Sequence, residues 1–207
     1  MCRGFDKLRK EEIISSIFCQ GGLTTPRSQR RGGVHSYAMI QHCEFMVTRE
    51  VDATRSLVFD AWTKLEHLKE WMLPMGLPLT AANIDLSVGG MYHYGLRGTD
   101  GRDIWGKWVF REIATPRKIV FVVSFSDSQG DTSRHPFSPA WPLEELATVD
   151  LTESHCQTSM RFSLSPLNGQ RIEIQAFKDG HDALELVWGE MFDRLQAYLA
   201  TLSGSRV

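Results

Sequence analysis

Residues 170–202 read QRIEIQAFKDGHDALELVWGEMFDRLQAYLATL, and the fold follows from this stretch. Its apolar side chains fall at Ile174, Phe177, Leu184, Trp188, Met191, Leu195, Tyr198 and Leu202, in steps of three and four or their sum, which stack on one face of a helix. The opposite face carries Lys178, Asp179, Asp182, Glu185, Glu190, Asp193 and Arg194. The spacing predicts one long amphipathic C-terminal helix. Burial of such a stripe is worth roughly 25 cal/mol for each Å², so the rest of the chain must cover it. Gly180 and Gly189 would each cost that helix roughly 1 kcal/mol relative to Ala. Close approach of helix to sheet is the expected reason for both, in preference to a hinge.

Working outward, the preceding residues alternate with a period of two. Phe45, Val47 and Val51 predict a first strand. Thr54 is placed to cap a helix that buries Val58, Ala61 and Trp62, and a second short helix runs from Glu66 to Trp71 before Pro74 and Pro78. From Thr80 the inner faces read Ala82, Ile84 and Leu86; Tyr92, Tyr94 and Leu96; Ile104, Trp108 and Phe110; then Ile119, Phe121, Val123 and Phe125. Turns are expected at Gly89-Gly90, Asp100-Gly101 and Pro116. Ser126 to Leu143 has no regular period and holds Pro136, Pro139 and Pro142 around Phe137 and Trp141, which predicts an ordered flap. Two last strands, Glu145 to Glu153 and Gln157 to Leu164, meet at a tight turn at Ser154 and His155. The expected class is α+β: a curled antiparallel sheet of about seven strands, two short helices after the first strand, and the long C-terminal helix gripped in the curl.

Residues 1–42 stand apart. They hold seven basic side chains against three acidic ones, whereas the remainder holds 16 Lys and Arg against 22 Asp and Glu. The expected organisation is a basic, poorly ordered extension over 1–42 and a single domain over 43–203. An acidic body argues against nucleic acid as a partner, since phosphate binding needs a basic face. No apolar run approaches the roughly 20 residues that span a bilayer. Cys2, Cys19, Cys43 and Cys156 form no C-x-x-C pair, and no secretory signal precedes them, so a reducing cytoplasm is the expected setting.

Several stretches carry a resemblance. Val58-Phe59-Asp60-Ala61-Trp62-Thr63, His67-Leu68 with Trp71, the Asp85 to Gly90 turn, Asp100-Gly101 and Arg111-Glu112-Ile113 resemble bacterial homologues of the activator of the ninety-kilodalton heat-shock protein's ATPase. Trp105-Gly106-Lys107-Trp108, Ser124-Phe125-Ser126-Asp127, Arg134-His135-Pro136, Trp141-Pro142-Leu143, Ser165-Pro166-Leu167-Asn168 and Gly180-His181-Asp182 strengthen it. That family lies in the START-like, or Bet v-like (SRPBCC), superfamily. The resemblance implies a helix-grip fold with an apolar cavity between sheet and helix. Various members hold lipids, sterols or polyketides, a few are cyclases or hydrolases, and the eukaryotic activator binds a chaperone.

The residues themselves favour no metal or cofactor, because no H-x-H, H-x-x-x-H or H-E-x-x-H spacing, G-x-S-x-G elbow or phosphate loop occurs. His135, in the flap, is the candidate general acid or base; the commoner fate of such a residue is to hydrogen-bond the backbone and fix Pro136. His181 is expected buried and satisfied on the helix stripe, and His93 toward solvent. Tyr92, Tyr94, Trp108, Phe121, Trp188 and Phe192 are the candidate ligand-binding set, and they either line a pocket or fill a solid core. Trp105, Phe137 and Trp141 are the candidate partner surface, a homodimer contact being the commoner fate of a residue such as Trp105. The expected function is non-enzymatic binding of an apolar small molecule or lipid. The alternatives are a co-chaperone-like interaction module, favoured by an exposed Trp105 over a filled core, and a cofactor-free hydrolase or cyclase-like enzyme. A cavity holding His135, or a carboxylate beside a tyrosine, would favour the enzyme.

Overall fold

Residues 43–155 and 157–204 are described by the structure, a computed structural model. The basic extension expected over 1–42 lies outside the described residues. Strand β1 (Phe45–Val51) leads to helices α1 (Arg55–Thr63) and α2 (Leu65–Trp71) and a single 3₁₀ turn, Pro74–Gly76. Strands β2 (Leu79–Ile84), β3 (Met91–Arg97), β4 (Asp103–Ala114), β5 (Lys118–Ser126), β6 (Thr132–Ser133), β7 (Glu145–Ser154) and β8 (Gln157–Pro166) follow. Helices α3 (Arg171–Asp179) and α4 (His181–Gly204) come last.

All strands belong to one antiparallel sheet in the order β1-β8-β7-β5-β4-β3-β2, with the two-residue β6 added to β5. The sheet is thus a run of hairpins whose last strand returns to the first. The helix-grip α+β architecture expected from the sequence is present. Its local causes are also those expected. The Thr54 hydroxyl accepts the Leu57 amide at 3.4 Å and starts α1, which buries Val58, Ala61 and Trp62. Gly101, at φ 81°, turns the β3–β4 hairpin in a conformation other residues resist. The last hairpin keeps Ser154 in its strand, paired with Gln157, rather than in the expected Ser154-His155 turn; His155 adopts φ 51°.

Trp62 is the hub of the core. Its ring centroid lies 4.7 Å from Trp71, 5.8 Å from Trp108, 6.0 Å from Phe162 and 6.2 Å from both Phe121 and Phe192. Its indole N–H reaches the Met160 sulfur at 3.3 Å, while the Trp71 N–H donates to the Ala61 carbonyl at 2.9 Å, so both buried donors are used. Helix α1 therefore plugs the concave face of the sheet as α4 covers it.

One expectation needs correction. The C-terminal helix is not continuous: it breaks at Gly180, whose φ of −91° and ψ of 6° leave the helical region. A Cβ at Gly180 would come within 2.6 Å of the Trp141 ring, so the close approach is to the flap rather than the sheet. At Gly189 a Cβ would meet nothing within 4 Å, so close approach does not explain that glycine.

Candidate functional site

The site is built on the inner face of β3, β4, β5 and β7, where the register sets side chains in cross-strand rows. Tyr92 pairs with Trp108, Trp108 with Val123 and Val123 with Glu145, which puts a carboxyl in the same row as a tyrosine and an indole. In the next row Tyr94 pairs with Gly106 and Gly106 with Phe125. The bare Gly106 lets the Tyr94 ring lie across β4, its hydroxyl occupying the space a side chain would need. Tyr94 stacks on Tyr92 at 5.1 Å and feels the charge of Glu145.

Glu145 is 7% exposed, and its Oε1 has no hydrogen-bond partner; the Tyr92 hydroxyl, fully buried, has none either. Burial pushes the Glu145 carboxyl up to about 8, with the Trp141 indole pulling the other way. The group is consequently mostly neutral at pH 7. Burial likewise pushes both Tyr92 and Tyr94 above the ordinary phenol range, helped by Tyr94 on the first and Glu145 on the second.

The flap roofs this end. Arg134 forms an ion pair with the buried Glu173 of α3 and donates to the Trp141 carbonyl at 3.3 Å. Glu173 also accepts the Gln170 amide at 2.7 Å in a capping box, so one carboxyl both starts α3 and holds the flap. Burial pushes that carboxyl up, but the bonds from Arg134 and Gln170 outweigh it and hold it below the ordinary range. Trp141 packs at 5.5 Å on Phe177 of α3.

His135 organises the flap from within. Its Nδ1 accepts the amides of Phe137 and Ser138, each at 3.0 Å, and its ring meets Phe125 edge-on at 4.4 Å. Burial pushes its pKa down to about 4, so it is neutral at physiological pH. The Nδ1 lone pair is committed to the backbone, the commoner fate foreseen for this residue. His181 does not match expectation: it is half-buried, edge-on to Phe45 and Phe177, with its Nε2 buried and unpartnered rather than satisfied.

His93 faces the outer side, as expected, but is half-buried and stacked on Trp105 at 4.9 Å. Its Nε2 lies 3.1 Å from the Asp127 carbonyl and 3.2 Å from the Ser126 hydroxyl. A carbonyl only accepts, so this nitrogen carries the proton and cannot serve as base toward Ser126. Trp105 is folded down over Gly95 on the outer face. Near it an open groove of about 170 Å³ is lined by Arg102, Trp105, Phe125, Arg134 and Phe137, among others.

The six candidate ligand residues are brought into one buried aromatic array. Tyr92 meets Trp108 at 5.1 Å, Trp108 stacks on Phe121 at 4.4 Å, and Trp188 lies 5.6 Å from Phe192 and 4.2 Å from Phe162, with Trp62 joining the two groups. The three candidate partner residues divide: Trp105 and Phe137 line the groove, while Trp141 turns inward onto α3. Glu145, which sequence reasoning missed, was signalled by period two, being in phase with the buried Ala147, Val149 and Leu151. Among the described residues no group of three or more His, Cys, Asp or Glu side chains gathers as a metal site.

The sequence profile of the activator of Hsp90 ATPase homolog 1-like protein family matches residues 52–200. The chain belongs to this family. This family member also resembles solved structures that share its fold. A protein from Arthrobacter aurescens is 23% identical with a TM-score of 0.64, covering 78% of this chain and 88% of its own. Protein Ms6760 from Mycobacterium smegmatis is 18% identical with a TM-score of 0.60, covering 79% and 91%. Protein NE0264 from Nitrosomonas europaea is also 18% identical at a TM-score of 0.60, covering 78% and 96%. At these identities the likeness is one of fold alone. No curated protein matches this family member. Its fold suits a ligand-binding or interaction module, and no helix among the described residues is long and apolar enough to cross a membrane.

Proposed function

We propose that the protein binds a mainly apolar small molecule, without turning it over, at the flap end of the inner face. The observation that carries this reading is the buried, unpartnered Glu145 Oε1 beneath the Trp141 indole of a flap held by side-chain contacts, with the unpartnered Tyr92 hydroxyl in the same cross-strand row. An unsatisfied buried group costs about 1–3 kcal/mol, and a ligand atom that pairs with it returns that cost as affinity. In this reading Tyr92, Tyr94 and Glu145 form the polar end, while Trp108, Phe121, Trp188 and Phe192 form the apolar floor. Phe125, which lines the surface groove and neighbours Gly106, is the side chain that yields on admission.

A second reading, a cofactor-free enzyme, draws support from the carboxyl beside a tyrosine: a group with a value of about 8 is matched to proton transfer near neutral pH. The interaction reading suggested by the family's name finds less support. Trp105 is stacked on His93 and folded over Gly95, and of its expected partners only Phe137 is well exposed, at 41%. A chaperone or a second copy of this chain remains the partner that reading names.

Native mass spectrometry of the purified protein, with analysis of its organic extract and a thermal-shift panel of apolar compounds, separates these. The binding reading expects a retained or stabilising compound; at 100 times its Kd it adds about 2.7 kcal/mol. A compound recovered chemically altered moves the assignment to the enzyme. A stable dimer mass with no ligand and no shift moves it to the interaction module.

A further inference from the structure

The buried polar groups of these two cross-strand rows are all potential donors with the same chemical bias. Glu145 is 7% exposed with Oε1 unpartnered, Tyr92 is fully buried with its hydroxyl unpartnered, and Tyr94 is folded across Gly106 within electrostatic reach of the carboxyl. No Lys or Arg stands in either cross-strand row that holds them. The nearby cations are committed elsewhere. Arg134 is paired with Glu173 and the Trp141 carbonyl, and Lys107, on the outer face, donates to the Gly130 carbonyl at 2.7 Å.

Three kinds of apolar ligand can be weighed against this lining. A hydrocarbon leaves the donors unpaired. A carboxylate places a buried charge with no counter-charge, and next to a carboxyl group, which is the costlier failure. A carbonyl compound accepts a hydrogen bond and brings no charge. We infer that the molecule held at the flap end is a neutral carbonyl compound, a ketone, ester or amide on an apolar body, whose oxygen is received by the Glu145 carboxyl acting as donor, with Tyr94 beside it. This rests on the binding reading above and names the ligand class for that site.

The test uses the full chain and three probes of equal length: n-octane, 2-octanone and octanoate, compared by calorimetric titration at pH 6.5. The expected result is 2-octanone binding ten- to a hundredfold more tightly than either of the others, the worth of one buried hydrogen bond. In E145L the ketone falls to the level of octane while octane is unchanged; in E145Q, whose amide still donates, the preference persists. Equal binding of ketone and octane, tighter binding of octanoate, or an unchanged ketone preference in E145L overturns the inference and leaves the binding reading standing. Binding of none of the three removes the binding reading itself. Should E145L not fold, the ranking on the unaltered protein decides.

Discussion

The hydroxyl of Tyr94 occupies the space above Gly106, so that a methyl group there would stand 2.6 Å from it and 2.7 Å from its ring carbon. The two residues face each other across β3 and β4, and the missing side chain of one is what admits the ring of the other. Tyr94 cannot simply swing away, because it is stacked on Tyr92. Gly106→Ala is expected to cost about 1–3 kcal/mol in urea denaturation. Adding Tyr94→Ala should recover part of that loss, a positive coupling that a double-mutant cycle reads directly; additive losses would mean the contact is not the cause.

The two glycines of the C-terminal segment predict opposite signs. Gly180→Ala drives a methyl into Trp141 and should destabilise by about 1–3 kcal/mol despite alanine's better helix propensity. Gly189→Ala meets nothing within 4 Å inside α4 and should stabilise by about 0.5–1 kcal/mol. Chemical denaturation of the two single variants, side by side, checks both.

Glu145 and His135 tilt the pH profile of stability in opposite directions. Between 4.5 and about 8 the folded chain holds a proton at Glu145 that the unfolded chain releases, so this group's contribution falls as pH rises through that window. Glu145→Gln should remove that slope and be the more stable protein above pH 8, by roughly 2–4 kcal/mol. Between 6.5 and about 4 the unfolded chain binds a proton at His135 that the folded chain refuses, so stability falls as pH falls. His135→Asn keeps an acceptor for the Phe137 and Ser138 amides and should flatten the acid limb by about 1–3 kcal/mol. Melting temperatures from pH 4 to 9 for the three proteins give the comparison.

Arg134→Met leaves the buried Glu173 without its cation, although the Gln170 amide still reaches it. Because the guanidinium is half exposed, the global cost should be modest, about 1 kcal/mol. Locally the effect is larger: amide exchange and proteolysis should quicken across residues 134–143 while the β7–β8 hairpin stays protected. Uniform loss of protection would show that the ion pair supports the whole fold instead of the flap.

Strand positions and the gripped helix were legible because period two and period 3.6 are local signals that burial imposes on every residue of an element. Trp62 was legible as buried but not as the hub, since its neighbours Phe162 and Phe192 come from distant strands and helices. The break at Gly180 was not legible for the same reason: it answers to Trp141, a flap residue, and no window around the helix contains both. Glu145 was within reach of the strand pattern, yet a carboxyl at the first position of a strand is ordinarily solvated, and its burial depends on the roof that the flap supplies. His181 lay on the predicted stripe, but whether its ring nitrogen finds a partner is a matter of ångströms.

The aromatic face of the sheet is covered on its Phe162 side by α4, a 24-residue helix that follows every strand in chain order. During synthesis this imposes a sequence of events. Strands β2 to β8 leave the ribosome with Trp62 of α1 as cover for Trp108 and Phe121, but the side of Phe162 that meets Trp188 and Phe192 is bare until those residues arrive afterward. A ribosome-bound chain that has not yet reached α4 thus exposes adhesive surface, which the arrival of that helix seals in one step. A premature stop before His181 would yield neither a smaller working protein nor a tolerated fragment, but a substrate for aggregation and proteolysis.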